Sequence, residues 1–276
     1  MSKLLVLGAT GKTGRRVKER LEKLDLDVRS GSRQAEIPFD WDDSTTWAKA
    51  LENVKKVYVT FQPDLAVPGA RQILANFTAE VRKAGVQKLV LLSGRGEKEA
   101  ELCEQEVIQS GIDYSIVRAS WFMQNFSESF FNEGILKGEL IVPEVKALEP
   151  FIDADDIADV VVECLLNDSH QNKIYSITGP ELLSFEQCTT IISEQLGREI
   201  AFTEVPLSHY TSAMEQQGLP KELVWLIDYL FREVLDGRNE SLTTDLERIL
   251  GRKARTFREF AMLTAASETW INTVTA

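Results

Sequence analysis

The sequence predicts an α/β protein: a Rossmann-type, doubly wound parallel sheet with a smaller α+β substrate lobe in its C-terminal part. Two observations predict this fold. Short apolar runs alternate with amphipathic helical segments over residues 1–118, which is the pattern of a parallel sheet built from strand–helix–strand units. A turn with three glycines joins the first apolar run to the first helical segment, as it does in dinucleotide-binding domains.

The first strand–helix–strand unit spans about 30 residues. Residues 3–8, KLLVLG, form a nearly continuous apolar run, as expected of a strand that is buried on both faces. Val17, Leu21 and Leu24 follow at helical spacing, and residues 26–32, LDVRSGS, are typical of a second strand.

The same alternation, with right-handed crossovers, predicts the remaining elements. We expect strands at 55–61, 88–94, 112–120 and 173–178, and helices at 68–85, 97–111, 184–197 and within 206–233. A short strand that feeds a helix is expected over 150–168, and Ser184 with Gln187 forms a capping box. No linker divides the chain. We therefore expect one Rossmann-like unit over 1–276, with its core mainly at 1–118 plus 150–178 and its substrate lobe mainly at 119–149 and 179–276.

Composition excludes several classes of function. The 43 acidic residues against 31 Lys and Arg give a formal net charge of −12, which repels nucleic-acid phosphates. Cys103, Cys164 and Cys188 lack the spacing of a zinc site or a disulfide framework, so we expect reduced, mostly buried thiols and no metal. The chain opens on an apolar strand without a signal-peptide leader, and no apolar run approaches the roughly 20 residues of a membrane span. A soluble cytoplasmic protein without nucleic-acid or membrane partners is expected.

The glycine turn decides the class of ligand. A phosphate-binding loop of the G-x-x-x-x-G-K-[ST] type needs a glycine at position 6, which is Val6. The glycines instead lie at Gly8, Gly11 and Gly14, between a buried strand and an amphipathic helix. In a dinucleotide site the first permits the tight turn, the second the close approach of the pyrophosphate, and the third the packing of helix on strand. The turn predicts dinucleotide binding.

The end of the second strand indicates which dinucleotide is bound. An acid about 20 residues after the turn binds the ribose 2′-hydroxyl of NAD, whereas an arginine accommodates the 2′-phosphate of NADP. Here the sequence has Ser32 and Arg33, and no acid before Glu36. Their hydroxyl and planar guanidinium suit a phosphate. We therefore expect NADP(H), with NAD(H) possible.

Five motifs then occur in order: GATGKTG at 8–14, SGSR at 30–33, LVLLSGRGE at 89–97, SIVRASWFMQNF at 115–126 and PFIDADDIADV at 150–160. With them the chain resembles the NmrA-like atypical short-chain dehydrogenases/reductases over almost its whole length. It is most similar to the ergot-alkaloid, festuclavine dehydrogenase-like branch and its bacterial relatives. The glycine turn is common to extended short-chain dehydrogenases, whereas RASWFMQNF and FIDADDIADV are narrower signatures.

The resemblance implies a nicotinamide cofactor across the carboxyl ends of the strands. Carried over by motif, the pyrophosphate is expected at Thr10, Gly11, Lys12 and Thr13, and the 2′-phosphate at Ser32 and Arg33. The adenine is expected near Asp40 and Trp41, and the ribose and nicotinamide near Thr60, Phe61, Gln62 and Pro63. The substrate side is expected at Gly94, Arg95, Trp121, Phe122 and Gln124, although the two aromatic residues are equally compatible with a core position.

One departure from the family pattern bears on the chemistry. Typical short-chain dehydrogenases use Tyr-x-x-x-Lys, in which the tyrosine donates a proton to a carbonyl oxygen. This chain contains no such motif, and Gln105 stands where relatives often have a lysine. We assign no catalytic residue.

Two functions remain open. The first is an NADPH-dependent oxidoreductase whose small organic acceptor, of the iminium, quinone or azo type, does not need that acid. The second is an NmrA-like redox sensor that binds the nucleotide and acts through a protein partner. The aromatic segments 119–126 and 224–231 offer apolar walls for a substrate and favour the enzyme. Either a monomer or a homodimer is compatible with the sequence.

Other polar clusters have simpler explanations. Asp153, Asp155 and Asp156 precede an apolar helical run, which favours helix-start carboxylates over a metal site. His170 and His209 lack a nucleophile partner, so we expect no Ser-His-Asp hydrolase. The basic cluster at 251–259 is expected to be a solvated face.

Overall fold

The structure, a computed structural model, describes residues 3–271. The chain divides into two compact units. Unit 1 comprises Met1–Ala119, Ala154–Ile177 and Asp245–Arg252, and unit 2 comprises Ser120–Asp153, Thr178–Thr244 and Lys253–Ala276.

Eight strands and eleven α-helices are formed by the described residues. The strands are β1 (Lys3–Leu7), β2 (Val28–Gly31), β3 (Val54–Val59), β4 (Lys88–Gly94), β5 (Asp113–Ala119), β6 (Glu139–Pro143), β7 (Lys173–Ile177) and β8 (Ala201–Val205). The helices are α1 (Lys12–Lys23), α2 (Trp47–Leu51), α3 (Ala70–Lys83), α4 (Lys98–Ile108), α5 (Phe130–Lys137), α6 (Ala154–Leu166), α7 (Phe185–Leu196), α8 (Leu207–Gln216), α9 (Lys221–Tyr229), α10 (Asp245–Leu250) and α11 (Phe257–Ala266).

A six-stranded sheet in the order β2-β1-β3-β4-β5-β7 forms the centre of unit 1. Every neighbouring pair is parallel. The inner strands have apolar sequences because both of their faces are covered, and Val57, Tyr58 and Val59 are fully buried. The predicted fold class is confirmed. The strand order reverses between β1 and β3, and open sheets of this kind bind ligands outside the carboxyl ends of the strands at such a switch point.

Helix α6 packs against α1 in unit 1, and ion pairs tie the two together. Arg20 donates to Asp155 and Asp159 over 2.8 and 2.6 Å. Asp155 and Asp156 lie in the first turn of α6, where carboxylates are favoured by the helix dipole. The described residues contain no group of three or more His, Cys, Asp or Glu side chains that could hold a metal.

The basic cluster at 251–259 was expected to be a solvated face. Residues 251–253 and 258–259 are exposed, as expected, but two of the arginines also pair with buried carboxylates. Arg252 pairs with Asp156 over 2.7 Å, and Arg255 pairs with the fully buried Asp153 over 2.8 Å. Thr256 opens α11 with a capping box, and Phe257 is fully buried. The acidic partners lie about 100 residues earlier in the chain, so charge composition alone could not reveal these pairs.

Unit 2 is organised around aromatic side chains. Its core contains Trp121, Phe126, Phe131, Phe151, Phe185, Phe231, Phe257 and Trp270. Strands β6 and β8 form a separate two-stranded parallel sheet, which the sequence did not predict. The expected Ser184–Gln187 capping box is present at α7, and the predicted helical region at 206–233 is formed by α8, α9 and a π-helical turn.

The remaining polar predictions concern single residues. His170 accepts or donates a 2.7 Å hydrogen bond through Nδ1 to the Tyr175 hydroxyl, which is a structural role. All three cysteines are free and buried, as expected.

Among residues 3–271, none of the helices has the length and apolar character that crossing a membrane requires.

Candidate cofactor site

The glycine turn brings strand β1 and helix α1 into close contact. Gly8 has a φ of +61°, in the left-handed region that glycine adopts without a side-chain penalty. A Cβ built on Gly14 would lie 2.0 Å from the Gly8 carbonyl oxygen, and one built on Gly11 would lie 3.2 Å from the same oxygen. The absence of side chains at these positions therefore creates the cradle at the start of α1.

The start of α1 can receive an anion. The helix begins at Lys12 with Gly11 as its N-cap, no side chain caps it, and its first turn contains no acid. The first amides of a helix have no partner within the helix, and its dipole favours negative charge there. Thr10 is exposed, and Gly11 and Lys12 are half-buried. The pyrophosphate of a dinucleotide fits this turn.

The side chain of Thr13 faces the interior. It is 4% exposed, and its Oγ1 accepts a 2.8 Å hydrogen bond from the hydroxyl of the fully buried Tyr58. Burial raises the pKa of that phenol above its ordinary value. The hydroxyl of Thr13 therefore ties α1 to β3, and the backbone amide is the group it can offer to a ligand.

We expect Tyr58→Phe to lower the free energy of unfolding by about 1–1.5 kcal/mol, because Thr13 loses its buried donor. Cofactor affinity should be unchanged. Urea denaturation and cofactor titration measure the two effects. Tyr114→Phe is the control, since the Tyr114 hydroxyl makes no hydrogen bond within residues 3–271. Weaker cofactor binding at unchanged stability would instead place the Thr13 hydroxyl on the ligand.

A cleft of about 670 Å³ opens where β1, β2 and β3 end, a size typical of ligand sites. It is lined by Gly8, Thr10, Gly31, Ser32, Arg33, Gln34, Phe39, Asp40, Trp41, Asp42, Gln62 and Pro63. Eight of the fourteen residues predicted to bind the cofactor are in this lining. The other six lie within four positions of a lining residue in the sequence and are Gly11, Lys12, Thr13, Gly14, Thr60 and Phe61. Their individual roles remain predictions.

Ser32 and Arg33 follow directly after β2 in this lining. The Ser32 carbonyl accepts hydrogen bonds from the amides of Ala35 and Phe39 at 3.2 and 3.0 Å, which folds the loop back on itself. The Arg33 side chain is exposed and makes no ion pair or hydrogen bond with any residue between 3 and 271. A charged, planar donor thus lies at the rim of the cleft with its hydrogen-bonding capacity unused.

An aromatic cluster forms one wall of the cleft. The Trp41 ring lies 4.9 Å from that of Phe39, 4.8 Å from that of Phe61 and 4.9 Å from that of Phe77. Its indole Nε1 donates to the Thr60 carbonyl over 3.1 Å. Trp41 is only half-buried, so its remaining surface offers a fixed apolar face, which suits an adenine ring.

Two other predicted cofactor residues line the cleft with polar groups. Asp40 accepts a hydrogen bond from the amide of Asp42 over 3.2 Å, and its own carbonyl accepts one from the Trp47 indole over 2.7 Å. Gln62 is exposed, and its Nε2 lies 3.7 Å from where a Cβ on Gly11 would be. The amide of Gln62 therefore faces the glycine turn.

The residues predicted for the substrate side lie in different units. In unit 1, Gly94 ends β4, and the amide of Arg95 donates to the Ala119 carbonyl over 3.0 Å. In unit 2, Trp121 is 9% exposed and packs edge-on against Phe185 and Phe231 at 5.7 and 5.4 Å.

The other two residues predicted for the substrate side also belong to unit 2. Phe122 is half-buried and pairs with Ile152 in a parallel bridge. Gln124 is buried, and its Nε2 donates to Asp153 over 2.9 Å. The roles of these five residues also remain predictions.

Gln105, which the family resemblance places where relatives often have a lysine, does not face the interior. Gln105 is exposed on α4, whereas its neighbour Glu104 is fully buried. Glu104 accepts a 2.7 Å hydrogen bond from Ser93 and three from Arg118, the shortest at 2.6 Å. Hydrogen bonding to Glu104 raises the pKa of Arg118, which keeps the guanidinium of Arg118 protonated. The pair joins α4 to β5, and the sequence analysis did not identify it.

A second carboxyl group that the sequence analysis missed is Glu97, at the start of α4. It is 6% exposed, and burial together with the charge of nearby Asp64 raises the pKa of its carboxyl group. The two residues are 33 positions apart, and each has an unremarkable local sequence. Only the alignment of β3 beside β4 brings the loops after these strands together.

Two protein families match this chain. Residues 98–261 match the NmrA-like family, and residues 8–168 match a family described as NAD(P)H-binding. Each match covers more than half of the chain, and together they include the glycine turn, the cleft and the core of unit 2.

Three relatives are similar over nearly their whole length. Prestalk A differentiation protein A of Dictyostelium discoideum is 27% identical, with 98% of this chain and 93% of the relative covered. The NAD(P)H azoreductase of Xenophilus azovorans is 29% identical, with 96% and 98% covered. Festuclavine synthase I of Penicillium roqueforti is 29% identical, with 94% and 96% covered.

Solved structures share the fold. A nucleoside-diphosphate-sugar epimerase from Staphylococcus aureus superposes with a TM-score of 0.81 at 18% identity, covering 95% of this chain and all of that one. An NADPH-dependent quinone oxidoreductase from Escherichia coli superposes with a TM-score of 0.76 at 19% identity, covering 95% and 98%.

Proposed function

Since the chain belongs to the NmrA-like family and is an NAD(P)H-dependent oxidoreductase, we propose that it uses NADPH in preference to NADH and reduces a small organic acceptor. We propose an acceptor of the azo, quinone or iminium type. The single observation that carries the cofactor preference is the unpaired, exposed Arg33 at the rim of the cleft. A guanidinium binds a phosphate through two parallel hydrogen bonds. Domains that select NAD have an acid in this region instead, which binds the ribose 2′-hydroxyl.

The bound cofactor would supply a hydride, and the protein supplies binding and orientation. The cradle at Gly8, Gly11 and Gly14 would hold the pyrophosphate, and the face of Trp41 would support the adenine. These contacts would fix one end of the cofactor, and Gln62 and Pro63 would border its ribose and nicotinamide. Orientation of this kind accounts for a large share of the barrier reduction in hydride transfer.

The proposed acceptor classes follow from the missing Tyr-x-x-x-Lys motif. An iminium carbon is already electrophilic and receives a hydride without protonation, whereas quinones and azo compounds are strong acceptors whose heteroatoms can be protonated separately. The names of the azoreductase and festuclavine synthase relatives support these classes.

A panel of acceptors tests the proposal. The purified protein should oxidise NADPH when it is mixed with a quinone, an azo dye or a cyclic iminium compound, and more slowly with NADH at the same concentration. Cofactor absorbance measures the rate, and a carbonyl compound such as a simple ketone is the negative control. Turnover of the ketone alone, or of none of the compounds at saturating NADPH, would contradict the proposal.

A second candidate function is a nucleotide-sensing regulator. The relative named as a differentiation protein, which matches over 98% of this chain, favours it. If the chain is such a sensor, NADPH binding should alter its association with a protein partner while every acceptor in the panel remains unreduced. Co-purification from cells with and without an NADPH-regenerating system would detect that association.

A further inference from the structure

Two carboxyl groups meet where β3 and β4 end, next to the predicted cofactor site. Asp64 follows Pro63, which lines the cleft, and Glu97 follows the loop after β4. Glu97 is 6% exposed, and its Oε2 is buried without a hydrogen bond from any N–H or hydroxyl of residues 3–271. Burial, and then the charge of nearby Asp64, raises the pKa of this carboxyl group.

Two carboxyl groups that lie together in a buried site do not both ionise readily, because like charges repel and burial disfavours the charged form. Asp64 has a hydrogen bond that favours its charged form, since its Oδ1 accepts from the amide of Ala66 over 2.8 Å. Glu97 has no such bond at its buried oxygen Oε2. The proton is therefore assigned to Glu97.

The surroundings support this assignment. Burial first, and then the nearby Asp64 carboxylate, raise the pKa of Glu97 well above its ordinary value, with smaller contributions from Glu99 and Glu104. Burial, followed by the charge of Asp64, raises the pKa of the Cys103 thiol to about 12. Two arginines of unit 1 are paired with other carboxylates, Arg118 with Glu104 at 2.6 Å and Arg71 with Glu106 at 2.7 Å.

Gly94 makes room for this acid. A Cβ built on Gly94 would lie 2.0 Å from Oε1 of Glu97 and 2.1 Å from its carboxyl carbon. The carboxyl group thus lies directly on the backbone at the end of β4, at the edge of the sheet where parallel α/β folds bind their ligands. Any side chain at position 94 would displace it.

We propose that the Asp64–Glu97 carboxyl pair is the proton donor of the reduction, in place of the missing tyrosine and lysine. This inference rests on the proposed function. For a quinone, the hydride carries two electrons and one hydrogen to the acceptor. The O–H bond of Glu97 breaks, its proton forms the second O–H bond of the hydroquinone, and Glu97 is left as a carboxylate. Asp64, which is partly exposed, then relays a proton from water back to Glu97.

Infrared spectroscopy of the cofactor-free protein tests the pair without any turnover. At pH 7 the wild type should show the carbonyl stretch of one protonated carboxylic acid, and Glu97→Gln should remove that band. Glu19→Gln is the matched control and should leave it, because the Glu19 carboxylate is exposed and has no partner among the described residues. Absence of the band in the wild type, or its persistence in Glu97→Gln, would overturn the proposal.

A matched pair of acceptors then tests the role of the proton. Reduction of a quinone by Glu97→Gln should be about 100-fold slower, the usual contribution of a general acid. Reduction of a cyclic iminium cation, which accepts a hydride at carbon without a proton, should proceed at the wild-type rate. If the wild type and Glu97→Gln reduce the quinone at equal rates, Glu97 is not the proton donor. If the wild type reduces neither acceptor, the proposed function itself fails, and the infrared band still reports whether the pair shares a proton.

The pH dependence of quinone reduction, measured for the wild type and a second variant, tests the proposal if Glu97→Gln does not fold. Quinone reduction needs protonated Glu97, so its rate should fall as the pH rises through the pKa of that group. Asp64→Asn removes the carboxylate that raises this pKa, and the falling limb should move to lower pH. A limb at the same pH in Asp64→Asn would show that another group donates the proton.

Discussion

Replacing Gly14 by alanine is expected to prevent the stable folding of unit 1. The new Cβ would lie 2.0 Å from the carbonyl oxygen of Gly8, 2.6 Å from its carbonyl carbon and 3.1 Å from the nitrogen of Ala9. All three are backbone atoms, so no flexible side chain can move aside. We expect a loss of about 3 kcal/mol or more in the free energy of unfolding, together with loss of cofactor binding. Urea denaturation and NADPH fluorescence measure these effects.

Gly85→Ala is the control for a glycine whose surroundings are open. A Cβ there meets nothing within 4 Å, but the φ of +71° is in the left-handed region. Its expected cost is only the backbone strain of about 1 kcal/mol. Equal stability of the Gly14 and Gly85 variants would show that α1 can move away from β1, and the close approach would then not explain the glycine.

The glycine turn could be predicted because its constraint is local. Strand β1, the three glycines and helix α1 lie within 21 consecutive residues, and the apolar patterning of both elements is visible in the sequence. The same is true of the capping box of Ser184 and Gln187, where a single helix turn determines the geometry. Where sequence neighbours are also the physical partners, pattern and structure agree.

Some elements of unit 2 could not be predicted, because their structural partners are distant in the sequence. Strand β6 has only five residues, and it pairs with β8, which begins about 60 positions later. Helix α11 does carry a recognisable signal, a capping box of Thr256 and Glu259. The preceding Arg252 and Arg255 were expected to be solvated, but they pair with carboxylates. Their carboxylate partners come from a distant part of the chain.

The carboxyl pair of Asp64 and Glu97 could not be predicted from the sequence for the same reason. The sequence reveals that a tyrosine and a lysine are missing, but it does not show what replaces them. Asp64 and Glu97 become partners only because the register of β3 and β4 aligns the ends of the two strands. The chemistry of a titratable pair depends on burial and on which charges are nearby, and both are tertiary properties.

Replacing Arg33 by alanine is expected to weaken NADPH binding and leave NADH binding nearly unchanged. Arg33 is exposed at the rim of the cleft and has no other partner within residues 3–271. Its loss should therefore cost the charge-assisted phosphate contact and little stability. The expected cost is on the order of 1.5–3 kcal/mol, roughly ten- to a hundred-fold in the dissociation constant. Isothermal titration with each cofactor measures the difference.

Two further variants separate charge from geometry at this position. Arg33→Lys keeps the charge but loses the planar pair of donors, so its NADPH affinity should be intermediate. Arg82→Ala removes an exposed arginine of α3 that has no ion pair among the described residues, and it should alter neither affinity. If Arg33→Ala and Arg82→Ala weaken NADPH binding equally, the affinity depends only on the overall charge of the protein. If Arg33→Ala weakens NADPH and NADH alike, the side chain contacts a part that the two cofactors share, and the 2′-phosphate must be bound elsewhere.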